Sequence, residues 1–243
     1  MSLNRDELLG RAGTRPRQGS VFLRLIKDRR AHVEDILQRG GVSDLLLRLS
    51  TTAVLLLGCY GFVMGLHVGF LQGAYSAAKL PLLFLGTLLL CFPALYLLTV
   101  LAGMKVGFFK TLTLALSALL VGAMFLSFVA PISLLFTLGG ASREFLTLFH
   151  STSVLCSCLV MAVYLGRELH DVGEHTDFYP PHATRVLVLW VLVFAFVGGQ
   201  VAWMLKPFVG DKGRETQFVR DQLSPTTLYY ELKLSARHVW EKF

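Results

Sequence analysis

Past residue 44 the chain reads as long apolar blocks separated by short polar breaks, and five blocks reach or approach the roughly 20 residues that span a bilayer's hydrocarbon. They predict transmembrane helices over 45–66, 80–103, 111–138, 145–166 and 186–205, an all-α polytopic transmembrane helix bundle occupying 45–206. Prolines interrupt the second and third blocks at Pro93 and Pro131. Each removes a backbone hydrogen bond and crowds the preceding turn, so a kink is expected at both. Paired broken helices can also mark a substrate site.

The flanks follow other patterns. Residues 1–18 mix Arg, Gly, Pro and Ser without periodicity and offer little apolar surface to offset ordering entropy, which predicts a flexible basic tail. Over 19–41, Phe22, Leu25, Ile26, Val33, Ile36 and Leu37 keep helical spacing among Arg24, Lys27, Arg30, Glu34 and Asp35. This is the pattern of an amphipathic helix, laid on the cytoplasmic leaflet or docked on a partner, and Gly40-Gly41 forms its elbow into the membrane. Over 207–243, Ser224-Pro225 reads as an N-cap and first helical residue, and Tyr229, Leu232, Ala236, Val239, Trp240 and Phe243 then share one face. A second amphipathic helix is expected there.

Small residues add a finer pattern. Gly61, Gly65, Gly69, Gly73 and Ala77 recur every fourth residue, and in one helix they would form a face admitting another helix to backbone contact. Such a ladder serves self-association, or seats its own segment against the rest of the bundle. It runs past the first block into the 67–79 connection, so two paths stay open. Either the chain makes five crossings, or 61–79 is re-entrant or lies along the interface and the number is even.

Charge bears on that choice. Ten Lys or Arg up to Arg48 place the N-terminal region in the cytoplasm by the positive-inside rule. With five crossings the translocated connections hold only Lys79 and Arg143, as the rule wants. The C-terminal tail, with Lys206, Lys212, Arg214, Arg220, Lys233, Arg237 and Lys242, would then also be translocated, whereas an even number returns it to the cytoplasm.

Composition agrees with the blocks: 54% hydrophobic and 16% charged residues exclude a soluble domain. The net charge of +7 gathers at the chain ends beside membrane segments, so the bilayer and its anionic lipids are the expected partners and nucleic acid is not. Cys59, Cys91, Cys156 and Cys158 fall inside apolar blocks as small hydrophobes, and neither a disulfide nor a zinc site is expected. The first forty residues lack an apolar signal-peptide core, so the first crossing is expected to act as its own insertion signal.

Candidate chemistry is sparse. There is no Walker loop, dinucleotide glycine fingerprint, HExxH or GxSxG elbow, so no catalytic residue and no cofactor is assigned and an enzyme is not expected. His67, Gln72 and His150 interrupt apolar sequence, as polar lining of a conduit or as interhelical hydrogen bonds. The stretch 170–184 gathers His170, Asp171, Glu174, His175, Asp177 and His182. On a helical extension of the fourth crossing His170 and Glu174 could share a divalent metal, but Gly173 and Pro180-Pro181 favour a solvated turn, and no metal is assigned.

The last crossing ends in Gln200, Trp203, Lys206, Pro207, Phe208 and Gly210: Trp and Lys suit the membrane interface, Pro stops the helix and Gly turns the chain. This Trp-x-Leu-Lys-Pro-Phe-x-Gly run resembles the Trp-x-Leu-Arg-Pro-Phe-x-Gly of a set of uncharacterised bacterial multi-pass inner-membrane proteins, with Lys206 in place of arginine. The resemblance extends back to Lys79-Leu80-Pro81, about two thirds of the chain. The organisation is also similar to that of Yip1-type proteins, with a cytoplasmic N-terminal region before five crossings, though their Asp-Leu-x-Gly-Pro motif is missing here. What the resemblance implies is a bacterial inner-membrane location, without an activity.

Three functions fit this reading. The first is a non-enzymatic scaffold or accessory subunit, assembling with itself or with other membrane subunits through the glycine ladder. The second is an oligomeric channel or transporter for a small solute or ion. The third is a metal-dependent intramembrane enzyme built on the His170–His182 stretch.

Overall fold

The structure is a computed structural model that describes residues 32–34, 36, 43–104, 106–175 and 183–205. Five long helices account for nearly all of them: α1 Ser43–Gly65, α2 Phe70–Leu101, α3 Phe108–Leu138, α4 Arg143–His175 and α5 Ala183–Met204. All five are long and apolar enough to cross a membrane, and among the described residues there is no strand. The protein is an all-α, multi-pass helix bundle.

The second helix corrects the predicted boundaries most. It begins at Phe70, ten residues before the expected start, and carries Lys79 and Pro81 in its interior. The 61–79 stretch is continuous with the helices on either side of it. It is the end of α1, a short turn over 66–69, and the first turns of α2, an antiparallel hairpin. Gly69 starts α2 at φ +156°, a conformation open almost only to glycine, and its carbonyl accepts from the Gly73 N–H at 3.0 Å.

The other two turns are alike. After α2, the Met104 N–H reaches the Thr99 carbonyl and the Gly103 N–H reaches Val100; after α3, Ala141 reaches Phe136 and Gly140 reaches Thr137. Each is a Schellman closure on a glycine of positive φ, 86° at Gly103 and 76° at Gly140. The fourth helix continues beyond its expected end at 166, through Arg167, Glu168 and Asp171 to His175.

In space α1 lies between α2 and α3, α4 packs on the other side of α3, and α5 packs on α2, giving the order 5-2-1-3-4. Contacts fix the directions. Gly61 meets Ser76 and Gly65 meets Gln72, so α2 runs against α1. The Ser127 hydroxyl donates to the Leu56 carbonyl at 3.3 Å on α1, and Ser157 of α4 donates to the Gly122 carbonyl of α3 at 2.9 Å. Trp190 Nε1 on α5 donates to the Cys91 carbonyl of α2 at 2.9 Å. One end of the bundle therefore carries the α1–α2 and α3–α4 turns, and is called here the hairpin end.

Part of the 19–41 segment, residues 32–34 and 36, is described, and it packs on the bundle. His32, Val33 and Ile36 are buried, and His32 Nε2 sits 2.9 Å from the Ser117 hydroxyl of α3. Ser117 already donates to the Thr113 carbonyl, so the imidazole N–H is the donor in that pair. The expected tails over 1–18 and 207–243 lie outside the described residues.

The prolines face away from the core. Pro93 and Pro131 are exposed on helices that run on through them, so they do not meet at a central broken-helix site. Pro81, by contrast, is buried. Lacking an N–H, it leaves the Ala77 carbonyl without its helical donor, and that oxygen is 3.5 Å from where a Gly58 Cβ would stand. A Cα–H of α1 can approach it there.

Candidate functional site

The ladder is folded in two. In the hairpin Gly61 and Gly65 of α1 face Ser76, Ala77, Gln72 and Gly73 of α2, with Gly69 at the turn. A Cβ on Gly61 would collide with the Ser76 carbonyl, and one on Gly65 would stand 2.5 Å from the Gln72 oxygen and 2.7 Å from Gly73 Cα. Because these obstacles are backbone, the seam closes only with glycine on α1. At Gly73 a Cβ would meet the Phe62 ring and the Phe62 carbonyl at 3.1 Å. Gly61 and Gly65 on one side and Gly73 and Ala77 on the other thus form a contact internal to the chain, instead of one face presented to another molecule.

Closing that seam turns a polar face of α2 into the bundle. Gln72, Ser76 and Lys79 follow at i, i+4 and i+7, the spacing of one helical face. All three are buried: Gln72 is 1% exposed, Ser76 and Lys79 are 0% exposed. His67, in the turn, is also buried. Lys79 lies nine residues into α2, so its backbone is about 14 Å along the helix from Phe70.

A second group closes the same end from α1, α3 and α4. The Tyr60 hydroxyl is hydrogen-bonded to His150 Nδ1 at 2.8 Å, and His150 Nε2 is 3.3 Å from the Ser133 hydroxyl. In a neutral ring one of these nitrogens donates and the other accepts. Tyr60 and Ser133 are fully buried and His150 nearly so. Edge-on rings stand over the group: Phe149 is 5.6 Å from the His150 ring and Phe136 is 5.3 Å from Phe149, centroid to centroid. His67 is close enough to His150 to interact with it electrostatically.

The three residues expected as polar lining, His67, Gln72 and His150, are thus all interior, at one end of the bundle. His150 is tied into interhelical hydrogen bonds. Tyr60, Ser76, Lys79 and Ser133 were not singled out by sequence reasoning as part of this group. For Ser76 and Lys79 a signal existed, since both fall on the helical face of Gln72 once α2 is begun at Phe70. Tyr60 and Ser133 gave none, because their link to His150 crosses 90 and 17 residues of chain.

Elsewhere, His170 and Asp171 lie on the extension of α4, with Asp171 buried and His170 exposed. Among the described residues no three His, Cys, Asp or Glu side chains are placed to share a metal. Asp177 and His182 lie outside the described residues. Of the terminal motif, Gln200 is exposed and Trp203 half-buried on α5, while Lys206, Pro207, Phe208 and Gly210 lie outside them. Comparison with known protein families, with curated proteins and with solved structures finds no match to this chain.

Proposed function

We propose that the protein is a channel or transporter of the bacterial inner membrane, which takes a small polar solute or ion into the interior group at the hairpin end. With the basic N-terminal region in the cytoplasm, that end faces outward. One observation carries the reading: Lys79, with no exposed surface, shares a buried face of α2 with Gln72 and Ser76. Enclosing an ammonium group in a membrane bundle costs several kcal/mol, and a bundle that needed only to pack would place an apolar side chain there. Intramembrane ionisable groups that face a bundle interior mark solute or ion pathways by default.

A scaffold remains the second reading, favoured by the hydrogen bonds of His150, which clamp α4 to α1 and α3 as a purely structural group would. The glycine ladder no longer supports it, because its small faces are filled within the chain. Purified protein in vesicles decides between them. Transport predicts entry of some small ion or solute above protein-free vesicles, abolished in Lys79→Met. No entry of any small ion or solute, together with a defined larger complex in mild detergent, selects the scaffold.

A further inference from the structure

We infer that Ser133 is a nucleophile, activated by His150 as general base with Tyr60 positioning the imidazole, and that its substrate is an acyl ester of a membrane lipid. Nothing in this depends on Lys79, on which the transport reading rests. Thr113, Ser117, Thr137, Thr147 and Ser153 of α3 and α4 each donate to the carbonyl four residues earlier. Ser133 instead meets His150 Nε2 across the α3–α4 interface at 3.3 Å, and the other ring nitrogen is 2.8 Å from the Tyr60 hydroxyl of α1. Three helices thus align a hydroxyl, an imidazole and a second polar group that orients it, the connectivity of an activated serine.

One tautomer gives each hydrogen of this row an acceptor. Ser133 donates to Nε2, the Nδ1–H donates to Tyr60, the Tyr60 hydroxyl faces Ser153, and Ser153 donates to the Phe149 carbonyl. The other tautomer would leave the buried Ser133 hydrogen without an acceptor among the described residues, which is costly in an interior. The favoured tautomer is also the one a base needs, with Nε2 placed to take the serine proton.

Depth points to the substrate. With 31 residues α3 is about 46 Å long, against a hydrocarbon layer of about 30 Å, so about 8 Å of it extends past the hydrocarbon at each end. Ser133 is five residues from the last residue of α3, Leu138, again about 8 Å, at the edge of the hydrocarbon where lipid ester groups lie. Ile132 and Leu135, close by on the same helix, are exposed as lipid-facing residues are. Ser133 itself has no exposed surface. Phe136, 37% exposed, packs edge-on against Phe149, and Phe149 against His150, so movement of the Phe136 ring is the way in from lipid.

In the reaction, Ser133 Oγ bonds to the acyl carbon and its proton passes to His150 Nε2. The bond from that carbon to the alcohol oxygen breaks, and His150 gives the proton to that oxygen. Water then attacks the acyl carbon, losing a proton to Nε2. The bond to Ser133 Oγ breaks as Oγ takes that proton back, and the fatty acid leaves. The net change is hydrolysis of one ester, with water the only co-reactant.

The test treats full-length protein in phosphatidylethanolamine–phosphatidylglycerol vesicles with a lipophilic alkyl fluorophosphonate, which phosphonylates activated serines, and identifies the modified peptide by mass. The expected result is modification of Ser133, absent in Ser133→Ala, slowed about 100-fold or more in His150→Gln and about tenfold or more in Tyr60→Phe, and accelerated in Phe136→Ala. Fatty acid should be released from the vesicle lipid by the parent and not by Ser133→Ala. Thermal unfolding in detergent shows which variants fold, and if His150→Gln does not, the rate in Tyr60→Phe decides. An unchanged rate in whichever of these two folds overturns the activation of Ser133. No modification of Ser133 in either the parent or Phe136→Ala overturns the nucleophile. Modification of Ser133 without release of fatty acid overturns the lipid ester as substrate. Each of these failures leaves the transport reading standing, because none involves Lys79.

Discussion

Two kinds of glycine in this chain are told apart only by their surroundings. At Gly65 a side chain would have to displace the Gln72 and Gly73 backbone of the neighbouring helix. At Gly86, in the middle of α2, a Cβ would meet nothing within 4 Å. Gly65→Leu should therefore separate α1 from α2 and destabilise the protein by at least the ~1–3 kcal/mol typical of overpacking, while Gly86→Ala should be neutral or stabilising by up to ~1 kcal/mol through helix propensity. Unfolding midpoints in a mixed-micelle titration measure both, and equal effects at the two positions would contradict the seam. The sequence announced that these glycines matter but not to what. A four-residue period marks one helix face whether or not the chain turns halfway along it, and only Gly69 at φ +156° reveals that it does.

Among the helices, α4 has two separate attachments to the bundle. One is the Tyr60–His150–Ser133 link, the other the Ser157 hydroxyl on the Gly122 carbonyl, where the missing side chain of Gly122 admits Ser157. Interhelical hydrogen bonds in membrane proteins average about 0.6 kcal/mol and reach ~1.7. Tyr60→Phe and Ser157→Ala should each cost an amount in that range. The two sites are roughly 10 Å apart along α4, so the double variant should lose the sum to within ~0.5 kcal/mol. A sum exceeded by more than that in the same titration would mean that α4 docks as one cooperative unit. Existence of the five helices was legible from apolar block length alone. Their ends were not, and the reason is physical. The predicted second crossing starts at 80, just past Lys79, because a charge is unfavourable inside a lipid-facing helix. Burial against α1 removes that objection, since protein and not lipid surrounds this face of α2. The same argument holds at the end of α4, which runs past the predicted end at 166 with Glu168 and Asp171 covered by protein.

At the scale of the whole molecule, five antiparallel steps place the start of α1 and the end of α5 at opposite ends of the bundle. The charge pattern pulls the other way, since the tail beyond α5 is basic and the positive-inside rule would keep it with the N-terminal region. The order of the helices runs against that preference. Nine basic residues precede α1, and the α1–α2 hairpin, closed by its glycine seam, carries α2 back along α1. Single cysteines report the outcome in oriented vesicles, with Cys59, Cys91, Cys156 and Cys158 first replaced by alanine or serine. A membrane-impermeant thiol reagent should reach Ser43→Cys from one face, and both Ala141→Cys and Leu205→Cys from the other. Labelling of Ser43→Cys and Leu205→Cys from the same face would require an even number of crossings, and the hairpin described here would then have to open in the membrane.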